Sequence, residues 1–121
     1  MISAKIIERA IKEAKKSTFS PRHGAVIFKG EKILSIGYNQ IRYCSLLPEK
    51  YTRWKCSLHA EQKAIIYNHN DLRRCSILVI RLNNQNKLMN SKPCPLCLGL
   101  ITDVGITNIY YSTNGGSIIK L

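Results

Sequence analysis

Two short segments, Ser57-Leu58-His59-Ala60-Glu61 and Pro93-Cys94-Pro95-Leu96-Cys97, constrain this 121-residue chain more than anything else in it. One imidazole and two thiolates are three of the four ligands of a tetrahedral Zn²⁺. Three protein ligands with the fourth position left to water is the arrangement of a catalytic rather than a structural zinc. Glu61 stands two residues beyond His59, near enough to reach that water without binding the metal. Any fold for this chain has to bring the two segments side by side across the residues that separate them.

The cysteine count points the same way. There are five, Cys44, Cys56, Cys75, Cys94 and Cys97, an odd number with one close C-x-x-C pair. That pattern suits a metal or free thiols better than a disulfide framework, and it suits a reducing compartment. Cys75 opens an apolar run and reads as a small buried hydrophobe. The length is that of one domain, residues 1–121, large enough for a hydrophobic core. No run of eighteen apolar residues is present to span a membrane, and Glu8, Arg9 and Lys12 interrupt any signal-peptide core. The expectation is an intracellular protein, cytoplasmic or nuclear, with no membrane partner.

Apolar positions at Ile2, Ile6, Ile7, Ala10, Ile11 and Ala14 predict a helix over 2–17. Residues 24–28 and 32–37 read as a strand hairpin around Lys29-Gly30-Glu31. A loop from about 38 to 57 follows, long enough to suspect of function. A second helix is expected over 59–69, and the nearly continuous apolar run over 75–82 reads as a central strand covered on both faces. Asn83-Asn84-Gln85-Asn86 turns the chain. A third helix starts near Pro95, since proline suits a first turn, and stops before Gly105. Residues 106–112 form another strand, and Asn114-Gly115-Gly116 is a hairpin turn that makes 117–121 a last antiparallel strand. The order is α-β-β-α-β-α-β-β, with the proposed ligands at the N-terminal ends of the second and third helices, where the helix dipole favours thiolates.

With His59-Ala60-Glu61, Pro93-Cys94-Pro95-Leu96-Cys97, the Gly24-Ala25-Val26 strand and Gly37-Tyr38-Asn39 on the page, the chain resembles the cytidine deaminase-like superfamily over nearly its whole length. The resemblance implies a three-layer α-β-α fold, with a mixed sheet of about five strands and a C-terminal β-hairpin. It implies a zinc-dependent hydrolase in which His59, Cys94 and Cys97 hold the metal. Glu61 would move protons from water to the base and to the departing ammonia. It places Asn39 against the sugar or base of the substrate, although asparagine is also common in turns after strands. Pro93 would shape the loop entering the site, and the backbone N–H groups of Ala60 and Cys94 would help to hold the base. The frequency of cytosine specificity in the superfamily makes cytosine the expected base. Members range from monomers to hexamers, so a homo-oligomer falls within the expectation. Ser91-Lys92 match no one subfamily's substrate-specific residues, and the terminal hairpin and the Gly37-Tyr38-Asn39 neighbourhood point to different branches.

Charge bears on the substrate. Nineteen Lys and Arg against seven Asp and Glu leave a net charge of +12, a surplus that suits a polyanion such as single-stranded nucleic acid. A basic enzyme of free pyrimidine nucleotides is the plainer alternative. In the long loop, Arg42, Lys50, Arg53 and Lys55 alternate with Tyr43, Tyr51 and Trp54 beside one acid, Glu49. Cations interleaved with aromatics suit unpaired nucleotides, whose bases stack and whose phosphates pair. Arg53 and Trp54 are the candidate contacts, against the alternative that the rings cover the core while the charges are solvated. A rival of another class pairs Cys56-x-x-His59 with Cys94-x-x-Cys97 in a closed four-ligand zinc, giving a non-catalytic nucleic-acid-binding module. It leaves Glu61 without a role.

Overall fold

The computed structural model describes residues 2–18, 20–40, 58–68 and 70–121. Among the described residues, three helices and six strands follow in the order α1 (Ala4–Lys15), β1 (Arg22–Lys29), β2 (Lys32–Tyr38), α2 (Ala60–Ile66), β3 (Ser76–Leu82), β4 (Leu88–Met89), α3 (Pro95–Asp103), β5 (Asn108–Ser112) and β6 (Ile118–Lys120). They form one mixed sheet in the order β2-β1-β3-β5-β6, with β4 pairing β3 off that path. β1 is antiparallel to both β2 and β3, β3 runs parallel to β5, and β6 closes antiparallel on β5. This is the expected three-layer fold with its terminal hairpin.

Strand alternation divides the core into two. Val26 and Phe28 of β1 and Leu78, Ile80 and Leu82 of β3 pack with Ile6, Ala10 and Ala14 of α1. Ala25, Ile27, Ile77 and Val79 point the other way, against Ala60, Ala64 and Ile65 of α2 and Leu100 and Ile101 of α3. β3 is therefore buried on both faces, which is why its sequence is an almost unbroken apolar run. Cys75 is buried in the α2–α3 half, as a small hydrophobe would be.

Two glycines set how closely the helices approach. A Cβ on Gly24 would collide with the Ala10 carbonyl and lie 2.6 Å from the Ala14 nitrogen. On the opposite face, a Cβ on Gly37 would lie 2.5 Å from the Ala60 oxygen and 2.7 Å from the Ala64 nitrogen. α1 thus rests directly on β1, and α2 on β2, with no side chain between.

Several boundaries differ from the sequence expectation. α2 stops at Ile66, three residues short of 69, because the Asn68 side chain donates to the Ala64 and Ile65 carbonyls and takes over the end of the ladder. β5 starts at Asn108 rather than 106, since the Ile106 N–H closes back on the Ile101 carbonyl. β4 was not foreseen. Its two residues pair Met89 with Arg81 and Leu88 with Leu82. They lie past the point where the β3–β5 ladder ends at Val79 and Tyr111. Only there is the last part of β3 free to take a new partner.

Candidate active site

The two motif segments meet at the N-terminal ends of α2 and α3. His59 is the N-cap residue of α2, with extended backbone (φ −74°, ψ 157°). It is held from both sides. Before it, Leu58 and Gln40 exchange two backbone hydrogen bonds (2.8 and 2.9 Å) that extend β2 by one bridge. Within it, the His59 N–H donates to Oε1 of the buried Gln62 at 2.8 Å, tying down a free donor of the helix start. Cys94 caps α3 in the same conformation, with Pro95 in the first turn and the Cys94 carbonyl accepting from the Leu98 N–H. Cys97 sits on that first turn and is fully buried.

The His59 Nδ1 lies 3.1 Å from Cys97 Sγ and 3.9 Å from Cys94 Sγ. All three ligand atoms fall within 4.8 Å of one another. Around a tetrahedral zinc with ordinary bond lengths, N to S and S to S separations are about 3.6 and 3.8 Å. The donor set, its size and its placement at a cleft therefore fit zinc, with three ligands among the described residues. Cys56, needed for a closed four-ligand site, lies outside the described residues, as do Cys44, Arg53 and Trp54. Among the described residues the candidate metal group is His59, Cys94 and Cys97.

The electrostatics are those of one proton held between two sulfurs. Hydrogen bonds from Cys97 and from His59 hold the Cys94 thiol down to about 3, so it is a thiolate. Cys97, which donates to it and is buried, is pushed the other way and keeps its proton. The thiolate of Cys94 raises the imidazole of His59. Metal binding then displaces the remaining protons, because zinc takes thiolate and neutral imidazole. Burial pushes the Glu61 carboxyl above its ordinary value. It is 5% exposed and still reaches the cleft. A carboxyl raised in this way holds a proton more readily than an exposed one, which suits a group that must accept and return protons.

The cleft holds about 230 Å³ and is lined by Pro21, His23, Asn39, His59, Ala60, Glu61, Ser91, Lys92 and Cys94. Of the residues expected there, His59, Ala60, Glu61, Asn39 and Cys94 line it. Pro93 is buried and is not among the lining residues. Asn39 has much of its hydrogen-bonding capacity committed to backbone: Oδ1 accepts from the His23 N–H at 2.8 Å, and Nδ2 donates to the Pro21 carbonyl at 2.6 Å. The Asn39 carbonyl in turn accepts from Ser17 Oγ. It therefore builds the cleft wall by joining the entry of β1 to the exit of β2.

His23 was missed in the sequence. Burial brings its imidazole down to about 4, so it is neutral in the cleft. The only signal was its position immediately before Gly24, at the start of the strand that opens against the Gly37-Tyr38-Asn39 end of β2. Ser91 and Lys92 likewise drew notice only as unmatched residues.

The comparisons with known proteins agree with this geometry. The family described as "Cytidine and deoxycytidylate deaminase zinc-binding region" matches residues 2–113. A curated relative, an uncharacterized deaminase in the luxG 3′ region of Aliivibrio fischeri, is 32% identical over 95 residues, 75% of this chain. The match spans 58% of that relative's length. Among solved structures, dCMP deaminase from the cyanophage S-TIM5, apo and in complex with dCMP and dUMP, superposes with a TM-score of 0.60 at 21% identity. That match covers 93% of this chain and 86% of the apo chain. The diaminohydroxyphosphoribosylaminopyrimidine deaminase/5-amino-6-(5-phosphoribosylamino)uracil reductase of Thermotoga maritima gives 0.58 at 24% identity, over 89% of this chain and 28% of its own. With the family matched over nearly its whole length and the three ligands gathered at one cleft, the chain belongs to the cytidine and deoxycytidylate deaminase zinc-binding family.

Proposed function

We propose that this chain is a zinc-dependent hydrolytic deaminase, a single domain over 1–121, that converts cytosine to uracil in single-stranded nucleic acid. The observation that carries the chemistry is the placement of one buried carboxyl, Glu61, in the same small cleft as the His59, Cys94 and Cys97 donor set. Held by those three residues, zinc supplies the Lewis acidity that makes water a nucleophile near neutral pH.

Glu61 accepts a proton from the water as its oxygen attacks the amino-bearing carbon of the base. It passes that proton to the ring nitrogen, then carries the second to the amine, which leaves as ammonia. Cytosine and water thus become uracil and ammonia. Burial raises the proton affinity of Glu61, which favours its accepting the proton from water. The backbone N–H groups of Ala60 and Cys94, at the two helix starts, are the candidate donors to the base. Asn39 and His23 form the wall against which it rests.

The net charge of +12 supports a polyanionic substrate, with Arg53 and Trp54 as the proposed contacts to the strand. A second reading, deamination of a free pyrimidine nucleotide, is favoured by the cyanophage structure holding dCMP and dUMP on the same fold. A substrate panel separates them: cytidine, deoxycytidine, dCMP, and single-stranded DNA and RNA with one cytosine, each with its adenine counterpart. The first reading predicts conversion in polynucleotides with a rate that falls steeply as salt rises, through counterion release. It also predicts weaker polynucleotide binding when Arg53 and Trp54 are both replaced by alanine. Conversion of dCMP alone, with little salt dependence, would establish the second.

A further inference from the structure

We infer that Lys92 is the phosphate anchor of the cleft, the residue that makes it select a nucleotide over the corresponding nucleoside. This rests on the deaminase reading of the same site and names the part of the substrate that reading leaves open.

The argument begins with the strap between β4 and α3. Beyond Val79 and Tyr111 the parallel strands β3 and β5 cease to pair, and two buried serines fill the gap. Ser91 Oγ donates to the Val79 carbonyl at 2.6 Å and accepts from the Ser112 N–H at 2.8 Å. Ser112 Oγ donates to the Met89 carbonyl at 2.6 Å, and the Ser91 N–H reaches the Ser112 carbonyl at 3.0 Å. Ser91 is 3% exposed and Ser112 not at all, so this clasp is sealed from water and holds the strap down. The next residue but one, Pro93, has its φ fixed by its ring. Lys92 stands between these two restraints, its own N–H on Asn90 Oδ1 at 3.3 Å. The backbone is thus pinned while the side chain is exposed at the cleft.

Charge at that position has little to do for stability. Among the described residues no carboxylate forms an ion pair with Lys92. Among the described residues, the one acid lining the cleft is the buried Glu61. Arg81, the cross-strand partner of His23, sets a guanidinium nitrogen 3.4 Å from the Asn90 carbonyl and adds a second positive charge to the same strap. The cleft is also small. Its volume of about 230 Å³ is below the ~300–1,000 Å³ of sites that enclose drug-sized ligands. A base directed at His59 and Glu61, with its sugar, fills that space and leaves the attached phosphate outside it, where Lys92 stands. An ammonium is a compact point charge with three donors on a flexible stem, well suited to meeting a phosphate at a rim.

The test uses zinc-loaded Glu61→Gln protein, so that ligands bind without turnover, with Lys92→Ala, Lys92→Glu and Lys92→Arg added to it. Zinc content is measured in each. Affinities are compared by titration calorimetry for deoxycytidine against dCMP, deoxyadenosine against dAMP, and a thymidine oligonucleotide carrying one internal cytosine or adenine. We expect the phosphorylated ligands to bind more tightly than the nucleosides. We expect about tenfold or more of that advantage to vanish in Lys92→Ala, with a larger loss in Lys92→Glu and wild-type behaviour in Lys92→Arg. Nucleoside affinity should not change. A loss confined to the monophosphates assigns the anchor to a free nucleotide, and a loss on the oligonucleotide assigns it to a strand phosphate. Equal affinity for nucleoside and nucleotide overturns the inference, as does a nucleotide preference that Lys92→Ala and Lys92→Glu leave unmoved. The deaminase reading fails separately, if the unmodified enzyme releases no ammonia from ligands whose binding depends on Lys92.

Discussion

Replacing Gly37 by alanine adds one methyl group at the point where α2 touches β2. Its Cβ would stand 2.5 Å from the Ala60 oxygen and 2.7 Å from the Ala64 nitrogen, both backbone atoms that cannot rotate away. Moving the first contact out to an ordinary 3.4 Å requires α2 to retreat by about 0.9 Å. Overpacking of this kind costs about 1–3 kcal/mol. For a chain of this length, 2 kcal/mol corresponds to a Tm drop of roughly 8 °C. The displacement carries His59 and Glu61 with it, while Cys94 and Cys97 stay on α3. The ligand triangle is thereby opened, and loss of support around a metal ligand costs about 10–100-fold in affinity. Gly24→Ala is the matched control. It strains the α1–β1 contact on the opposite face by a similar collision, and α1 carries no ligand. The assay is zinc affinity by chelator competition, alongside urea unfolding of the metal-free protein. Gly37→Ala should lose both stability and zinc affinity, and Gly24→Ala stability alone. Wild-type zinc affinity in Gly37→Ala, or an equal loss in Gly24→Ala, would refute the claim that this contact sets the ligand geometry.

The His23 imidazole, lowered by burial from 6.5 to about 4, stays neutral in the folded protein while the unfolded chain takes up a proton. Stability therefore falls as pH is lowered through that window, by at most about 3 kcal/mol. The difference in urea midpoint between pH 7 and pH 4.5 should shrink in His23→Asn, and an unchanged difference would contradict it. Asn39→Ala strands the His23 N–H and the Pro21 carbonyl at the cleft wall. It should cost about 1–3 kcal/mol and raise KM, with Asn39→Asp recovering only the acceptor half. Because Cys94 is already ionised and Cys97 is not, the metal-free protein at neutral pH should show the ultraviolet thiolate absorbance of one of these two cysteines, lost in Cys94→Ser. No thiolate absorbance attributable to Cys94 would contradict it.

The chemistry of this site is legible in sequence because metal ligands and a proton carrier must be particular residue types at particular offsets. His59, Glu61, Cys94 and Cys97 could therefore be read without any knowledge of the sheet. The apolar run of β3 showed a strand covered on both faces, while the three-layer arrangement came from the family resemblance. Residues whose meaning depends on a neighbour from a distant strand could not be read this way. His23 looks like an ordinary strand residue until β2 places Asn39 beside it. Ser91 and Ser112 are unremarkable serines until β3 and β5 part and leave carbonyls and amides to be paired. β4 exists for the same reason and is too short to carry a pattern. Gly24 and Gly37 read as strand residues, and only the helices lying across them show why a side chain is excluded.

The central claim is that Glu61 moves the protons of a reaction for which His59, Cys94 and Cys97 hold the metal. Its most direct test is ammonia release from cytosine-bearing substrates by wild type, Glu61→Ala and Glu61→Gln, with zinc content and thermal unfolding measured on the same samples. The account predicts one zinc per chain and a folded protein in all three, with activity reduced by about 10²–10⁴ or more in both variants. A zinc-loaded, folded Glu61→Ala that deaminates at the wild-type rate would contradict it.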